Sequence, residues 1–378
     1  MRDTQPYDAL FLVSFGGPEG PDDVVPFMEN VTSGRQIPRE RLVEVSAHYG
    51  LFGGVSPINR QNRDLIAALE RELAAHGIDL PIYWGNRNWK PYLTDAVAGM
   101  RADGVKRALA FVTSAFSSYS GCRQYREGIQ AARLTVGDGS PVVDKIRVFY
   151  NHPGFIEPMV DNTVRALQAM AARGIVGPEL AFTAHSVPMS MAVSSDYVVQ
   201  LRETANLIGQ AVTARTGAVM RTELVYQSRS GAPGVPWLEP DICDHLEARN
   251  AAGASGVVMV PIGFISDHME VVYDLDTQAR AKAAELGLPV ERAATVGTDP
   301  RFVTMIRTLV EERIATENGG HPVRVCVGSR AANHDVCPAD CCPAPQRPAG
   351  GPAGTRPDPA RSGAAGGDGA PSGAGSVL

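Results

Sequence analysis

The chain has 378 residues, 44% hydrophobic and 20% charged, which gives room for two domains with separate cores. A net charge of −6 without a dense Lys/Arg block argues against nucleic acid as the main partner. No apolar run approaches the roughly 20 residues that span a bilayer, and Met1–Pro6 has no apolar segment of the kind that directs secretion, so a cytoplasmic protein is expected.

Apolar strand-like runs alternate with helical patterns along the chain. Strands are predicted at Asp8–Phe15, Leu80–Gly85, Ala108–Ser114 and Ile146–Tyr150, then at Glu179–Ala184, Thr222–Gln227, Gly256–Ile262 and Leu288–Arg292. Helices are predicted at Asn62–His76, where Leu65, Leu69 and Leu73 recur every four residues, and at Tyr92–Ala102, Phe155–Ala172, Val198–Thr213, Pro236–Arg249, Asp276–Glu285 and Asp299–Thr316. Such alternation implies βαβ units and parallel sheets, an α/β fold. Eight strands divide four and four, and the halves repeat: Phe111-Val112-Thr113-Ser114-Ala115-Phe116-Ser117-Ser118 has the pattern of Met259-Val260-Pro261-Ile262-Gly263-Phe264-Ile265-Ser266. Two similar doubly wound domains, 7–152 and 153–298, are therefore expected to face one another across a cleft. The crossover is expected near Asn151–Pro158, where His152-Pro153-Gly154 interrupts the pattern. A helix and cysteine-bearing extension should follow over 299–342. From Pro343 to Leu378 Gly, Pro and Ala predominate, and such a tail cannot bury enough apolar surface to order itself.

Two strand ends carry the chemistry. Thr183-Ala184-His185-Ser186-Val187-Pro188 places an imidazole just past an apolar run, with Ser186 and Pro188 forcing a polar turn. Pro261-Ile262-Gly263-Phe264-Ile265-Ser266-Asp267-His268-Met269-Glu270 does the same further along and runs on to Asp274 and Asp276. Ligands of open α/β sheets bind at such ends. A His that titrates near neutral pH and a Glu beside another His suit proton abstraction and handling of a divalent cation. For Asp274 and Asp276 the competing reading is a solvated helix N-terminus.

The two stretches together resemble those of the ferrochelatases, enzymes that insert ferrous iron into a porphyrin. The likeness runs from about Asp8 to Thr316. It includes Leu12-Val13-Ser14-Phe15-Gly16-Gly17-Pro18, Gly53-Gly54-Val55-Ser56-Pro57-Ile58, and Tyr226-Gln227-Ser228-Arg229 followed by Pro236-Trp237-Leu238. It implies two Rossmann-like domains with four-stranded parallel sheets, the class II chelatase fold, gripping a porphyrin between them. It implies His185 as proton acceptor and contact for the substrate Fe2+, and Glu270 as the acidic partner and second iron contact. His268, Asp274 and Asp276 would form an outer route, His268 having a purely structural alternative. Phe15 stands where some bacterial relatives carry a Tyr that ligates iron, and a phenyl ring cannot do so. Arg35, Tyr49 and Ser56 lie in segments resembling the propionate-contacting part of the family, and Tyr119 joins them as a substrate-binding candidate. Arg60, Arg63 and Arg123 are further possible partners for propionates.

Of six cysteines, Cys122 and Cys243 stand apart, Cys326 ends a β-like run, and Cys337, Cys341 and Cys342 cluster. In a reducing compartment such clustering favours metal or cluster ligation over disulfides. Some ferrochelatases hold a [2Fe–2S] cluster by one internal and three C-terminal cysteines, and by resemblance Cys122, Cys337, Cys341 and Cys342 are those ligands. A zinc site or free thiols are the alternatives, and Cys326 is a possible substitute. The Cys-x3-Cys-Cys ending resembles that of actinobacterial members, which implies coproporphyrin III as the porphyrin and Fe-coproporphyrin III (coprohaem) as the product, passed to the next haem-pathway enzyme. Protoporphyrin IX is the runner-up. A cobalt or nickel chelatase and a non-catalytic tetrapyrrole-binding protein are the rival readings.

Overall fold

The structure, a computed structural model, describes residues 5–33, 39–230 and 234–345. In the first half β1 (Ala9–Ser14) leads into α1 (Pro21–Val31), α2 (Arg39–Gly50) and α3 (Ile58–Ala75). Then come β2 (Ile82–Asn86), α4 (Leu93–Ala102), β3 (Arg107–Val112), α5 (Gln124–Val136) and β4 (Val142–Lys145). A π-helical stretch, Tyr119–Arg123, opens α5. The second half holds α6 (Pro153–Ala172), β5 (Glu179–His185), α7 (Met189–Val193), α8 (Tyr197–Thr216), β6 (Thr222–Gln227) and α9 (Ile242–Ala251). It continues with β7 (Val257–Val260), α10 (Met269–Tyr273), α11 (Arg280–Leu286), β8 (Val290–Arg292) and α12 (Pro300–Glu317).

All strand pairs are parallel, and the two sheets share one order, β2-β1-β3-β4 and β6-β5-β7-β8. Helices cover both faces of each sheet, so β1 is buried at all six positions and reads as a continuous apolar run without alternation. The sequence repeat is structural as well. Just past β3 the Ser114 amide donates to the Val112 carbonyl, and just past β7 the Ile262 amide donates to Val260 in the same way. His152 and Asp299 cap α6 and α12 by accepting from Gly154 and Arg301, each with a proline at the first helical position.

Two predicted elements shift. The fourth strand is Val142–Lys145, and Ile146–Tyr150 runs on beyond it. Ile146, Val148, Phe149 and Tyr150 are apolar because they enter the core shared by both halves, with Phe149 against Phe111, Phe155 and Phe302. Helix α9 starts at Ile242, not at Pro236. Pro240 biases Glu239 to extended backbone, and the Asp241 side chain then caps the helix by accepting from the Cys243 amide. Cys326 lies in irregular chain, not in a strand.

The halves are bound by α12, which returns across both. Arg147, following β4, makes a bidentate pair with Glu312 of α12 at 2.7 and 3.1 Å and also donates to the Val325 carbonyl. Their side chains are 0% and 8% exposed. Arg307 of α12 reaches Glu72 of α3 at 2.9 Å. Among the described residues no helix is long and apolar enough to cross a membrane. A Glu312→Ala variant strands a buried guanidinium, and its unfolding free energy in a denaturant titration should fall by roughly 3–5 kcal/mol.

Candidate active site and cysteine cluster

His185 is the last residue of β5, where the strand register ends opposite Gln227. Its Nδ1 lies against the Ser186 carbonyl, and a carbonyl only accepts, so Nδ1 carries a proton and donates it. Nε2 is thereby aimed at the carboxylate of Glu270, 3.6 Å away. Tyr197 holds the strand end from behind by donating to the His185 carbonyl at 3.0 Å. Close packing leaves no slack here: a Cβ on Gly263 would fall 2.7 Å from the Ala184 Cα.

Glu270 stands in the first turn of α10. The His268 Nδ1 accepts from the Glu270 amide at 3.2 Å and caps that helix, while Gln227 donates to the Glu270 carbonyl at 2.6 Å. Burial opposes the imidazolium of His185, but the charge and hydrogen bond of Glu270, together with the Ser186 carbonyl, push its pKa up to about 9. Burial likewise opposes the Glu270 carboxylate, yet His185 outweighs it, with help from Arg87, and brings Glu270 down to about 2. The resting pair is therefore imidazolium and carboxylate. Burial, reinforced by the charge of His185, lowers His268 and keeps it a neutral cap.

The acidic series divides. Ser228, in the left-handed region at φ 63°, donates to the Asp274 carboxylate. Burial first, then the charge of Glu270, raises Asp274 to about 7. Asp276 instead accepts from Arg292 at 2.8 Å, and Asp267 accepts from Arg292 and Thr295. Asp276 is thus committed to a structural ion pair and does not extend the outer route expected for it.

The first half contributes an aromatic wall. Phe15 lies edge-on to Phe27, and Phe27 meets Tyr49 and Trp89 in the same manner, with centroids 6.1–6.2 Å apart. Arg87 stacks over Phe15 and Tyr125 at 5.1 Å. Burial, then the charges of Glu270 and Asp274, drives the Tyr49 phenol far above its ordinary value, which places Tyr49 beside the acidic pair.

Sequence reading missed Arg87 and Phe27. Arg87 follows the end of β2 as Ser186 follows β5, so the strand-end rule applied to all strands would have found it. Ser56 is 4% exposed and packs where a Gly17 Cβ would fall 2.6 Å from its own Cβ, so it braces a turn and is not open to ligand. Tyr119 donates to Glu127 at 3.1 Å. Arg123 bonds Glu127 and the Ala339 carbonyl, and Arg63 pairs with Glu19, so these two are engaged elsewhere. Arg60 lines a small cavity with Gln61 and Ser266. Arg35 lies outside the described residues.

The cysteines form a second constellation. Cys122, in the π-helical stretch before α5, hydrogen-bonds Cys337. That contact, with Lys145 and Arg126 nearby and against the effect of burial, lowers the Cys122 thiol to about 5 while its partner Cys337 is raised, so the two sulfurs share one proton. The Cys341 and Cys342 sulfurs are 3.7 Å apart, and burial and then the neighbouring Cys341 push Cys342 up to about 12. His334 brings a nitrogen within 4.8 Å of the Cys337 and Cys341 sulfurs. Arg123 and Arg126 donate to the carbonyls of Ala339, Cys341 and Cys337, fastening the loop to α5.

An imidazole–carboxylate pair facing an aromatic wall, at the strand ends of duplicated α/β halves, marks an enzyme class that moves protons beside a cation. A ferrochelatase family model matches residues 7–314. The chain is 58% identical over 357 residues to a coproporphyrin III ferrochelatase of Streptomyces coelicolor, covering 91% of this chain and 95% of the relative. It is 54% identical over 350 residues to a ferrochelatase of Rhodopirellula baltica, covering 92% and 97%. A coproporphyrin III ferrochelatase of Frankia alni is 54% identical over 355 residues, covering 90% and 87%. The chain belongs to the ferrochelatase family and is a metal chelatase. In NMR titration the His185 ring should show a midpoint near 9 in the wild type. In Glu270→Gln it should fall well below that, because only the Ser186 carbonyl and Asp274 then remain to set against burial of the charged ring.

Proposed function

We propose that this chelatase inserts Fe(II) into coproporphyrin III, yielding Fe-coproporphyrin III and two protons. The observation that carries the reading is the His185–Glu270 pair, 3.6 Å apart and only 31% and 45% exposed, opposite the aromatic wall of Phe15 and Tyr49. The choice of coproporphyrin is supported by relatives so named at 54–58% identity.

The proton accounting follows from the pKa pattern. Resting His185 is charged, so it cannot accept a proton until it loses one. Arrival of substrate Fe2+ at Glu270 puts a like charge beside the imidazolium and expels its proton. Asp274, with a pKa of about 7, is suited to take that proton and pass it on near neutral pH. His185, then neutral with Nδ1–H still bound to Ser186, offers the Nε2 lone pair to the two pyrrole N–H groups in turn, passing the first proton to Asp274 and on to solvent before it takes the second. Phe15 and Tyr49 present flat apolar surface for the macrocycle. Phe15 has no oxygen for the product iron.

We further propose that Cys122, Cys337, Cys341 and Cys342 hold a [2Fe–2S] cluster. Four thiols, one already of thiolate character, and three nearby cations that offset a negative cluster support this. Such a cluster supplies a one-electron couple, and its ligands would tie the C-terminal extension to α5. Clustered cysteines of this kind also support a reducing, cytoplasmic setting. A product macrocycle that must be handed on supports a transient contact with the next haem-pathway enzyme.

Anaerobic assays with Fe(II) and coproporphyrin III or protoporphyrin IX side by side decide the substrate. Faster turnover of coproporphyrin III is expected, preference for protoporphyrin IX would reverse the assignment, and metallation of neither would end it. His185→Ala should lower kcat by about 10²–10⁴-fold. Protein prepared anaerobically should show the visible charge-transfer bands of a [2Fe–2S] cluster, and Cys122→Ser should abolish them. A colourless wild type binding one zinc would instead assign the loop to zinc.

A further inference from the structure

Two rings meet across the cleft outside the pair described above. His48, in the last turn of α2 in the first half, stacks on Tyr273, the last residue of α10 in the second, with centroids 4.2 Å apart and planes 12° from parallel. Tyr273 lies three positions after Glu270 along one helical run, and Asp274 follows directly, so all three move as one body.

The N-terminal end of α10 is fixed by the His268 cap and the Gln227 bond. Its C-terminal end passes into a π-helical stretch, Asp274–Ala279, a geometry that is rarely stable on its own and recurs at functional sites. Ser228 and Arg292 hold Asp274 and Asp276 from within the second half, and the His48 ring bears on the same end from the first half. Its neighbour Tyr49 lies against Phe27 and is close enough to Glu270 and Asp274 for their charges to act on its phenol. Two consecutive aromatic residues of α2 thus meet the helix that carries the acids.

We infer that His48 is a positioning residue: its stack on Tyr273 holds α10 so that the Glu270 carboxylate stays in register with His185. The consequence for metallation rests on the proposed function, whereas the effect on the pair does not. Loss of the stack lets Glu270 drift, and displacements on the ångström scale at a catalytic pair cost heavily in turnover.

The test uses His48→Ala, Tyr273→Ala, the double variant and His48→Phe, which keeps a flat ring, all in the full chain. In substrate-free protein the His185 ring resonances should move in both alanine variants and return in His48→Phe, with thermal unfolding used to select folded samples. Where wild-type turnover of Fe(II) and coproporphyrin III is observed, kcat should fall about 10-fold in each alanine variant, with KM for the porphyrin within about 2-fold. The double variant should be no worse than either single one. Unchanged His185 resonances in His48→Ala, or a rise in KM at constant kcat, would overturn the inference. Failure of the wild type to metallate either porphyrin would remove the functional reading while the resonances still decide the stack.

Discussion

A parallel sheet covered on both faces leaves its polar groups one exit, at the strand ends. Both sheets obey this. In the second sheet the interior of β5 is buried until His185, and β7 is apolar until the loop that carries His268 and Glu270. Because β5 and β7 are neighbours in the second sheet, these two ends lie side by side. The core shared by both halves, the Arg147–Glu312 pair and the return of α12 hold the first half, with its aromatic wall, against them.

Within the site the decisive quantity is the separation of proton affinities. One imidazole is held charged, one is held neutral as a helix cap, one carboxylate is strongly acidic and another titrates near neutrality. Environments that push pKa values apart in this way assign distinct duties to chemically similar groups. The aromatic wall contributes little charge, and its Tyr49 phenol remains protonated.

The cysteine loop obeys a different constraint. Its residues follow α12 in irregular chain, and side-chain bonds from Arg123 and Arg126 to loop carbonyls help to fasten it. The Cys337 proton is held by the hydrogen bond to Cys122, then by burial and by repulsion from the neighbouring sulfurs. A positively charged centre would relieve that repulsion.

Much of the fold was legible in the chain because burial on both faces writes itself as unbroken apolar runs, and seven of the eight strands begin within two residues of their predicted starts. The strand-end rule located His185 and Glu270, and turn chemistry located their loops. Other features depended on partners distant in sequence. Ile146–Tyr150 reads as a strand because it is apolar, but its burial comes from α12 and not from a ladder. Asp267, Asp274 and Asp276 look alike in sequence, and only the position of Arg292 shows which of them are already neutralised. Ser56 looks available until Gly17 is placed against it. The sequence by itself determined two duplicated α/β halves, with a His and a Glu just past two strand ends. Tertiary structure alone decided their 3.6 Å approach, the gathering of Cys122 with the C-terminal cysteines and the His48–Tyr273 stack, because each depends on how separate elements pack and not on local propensity.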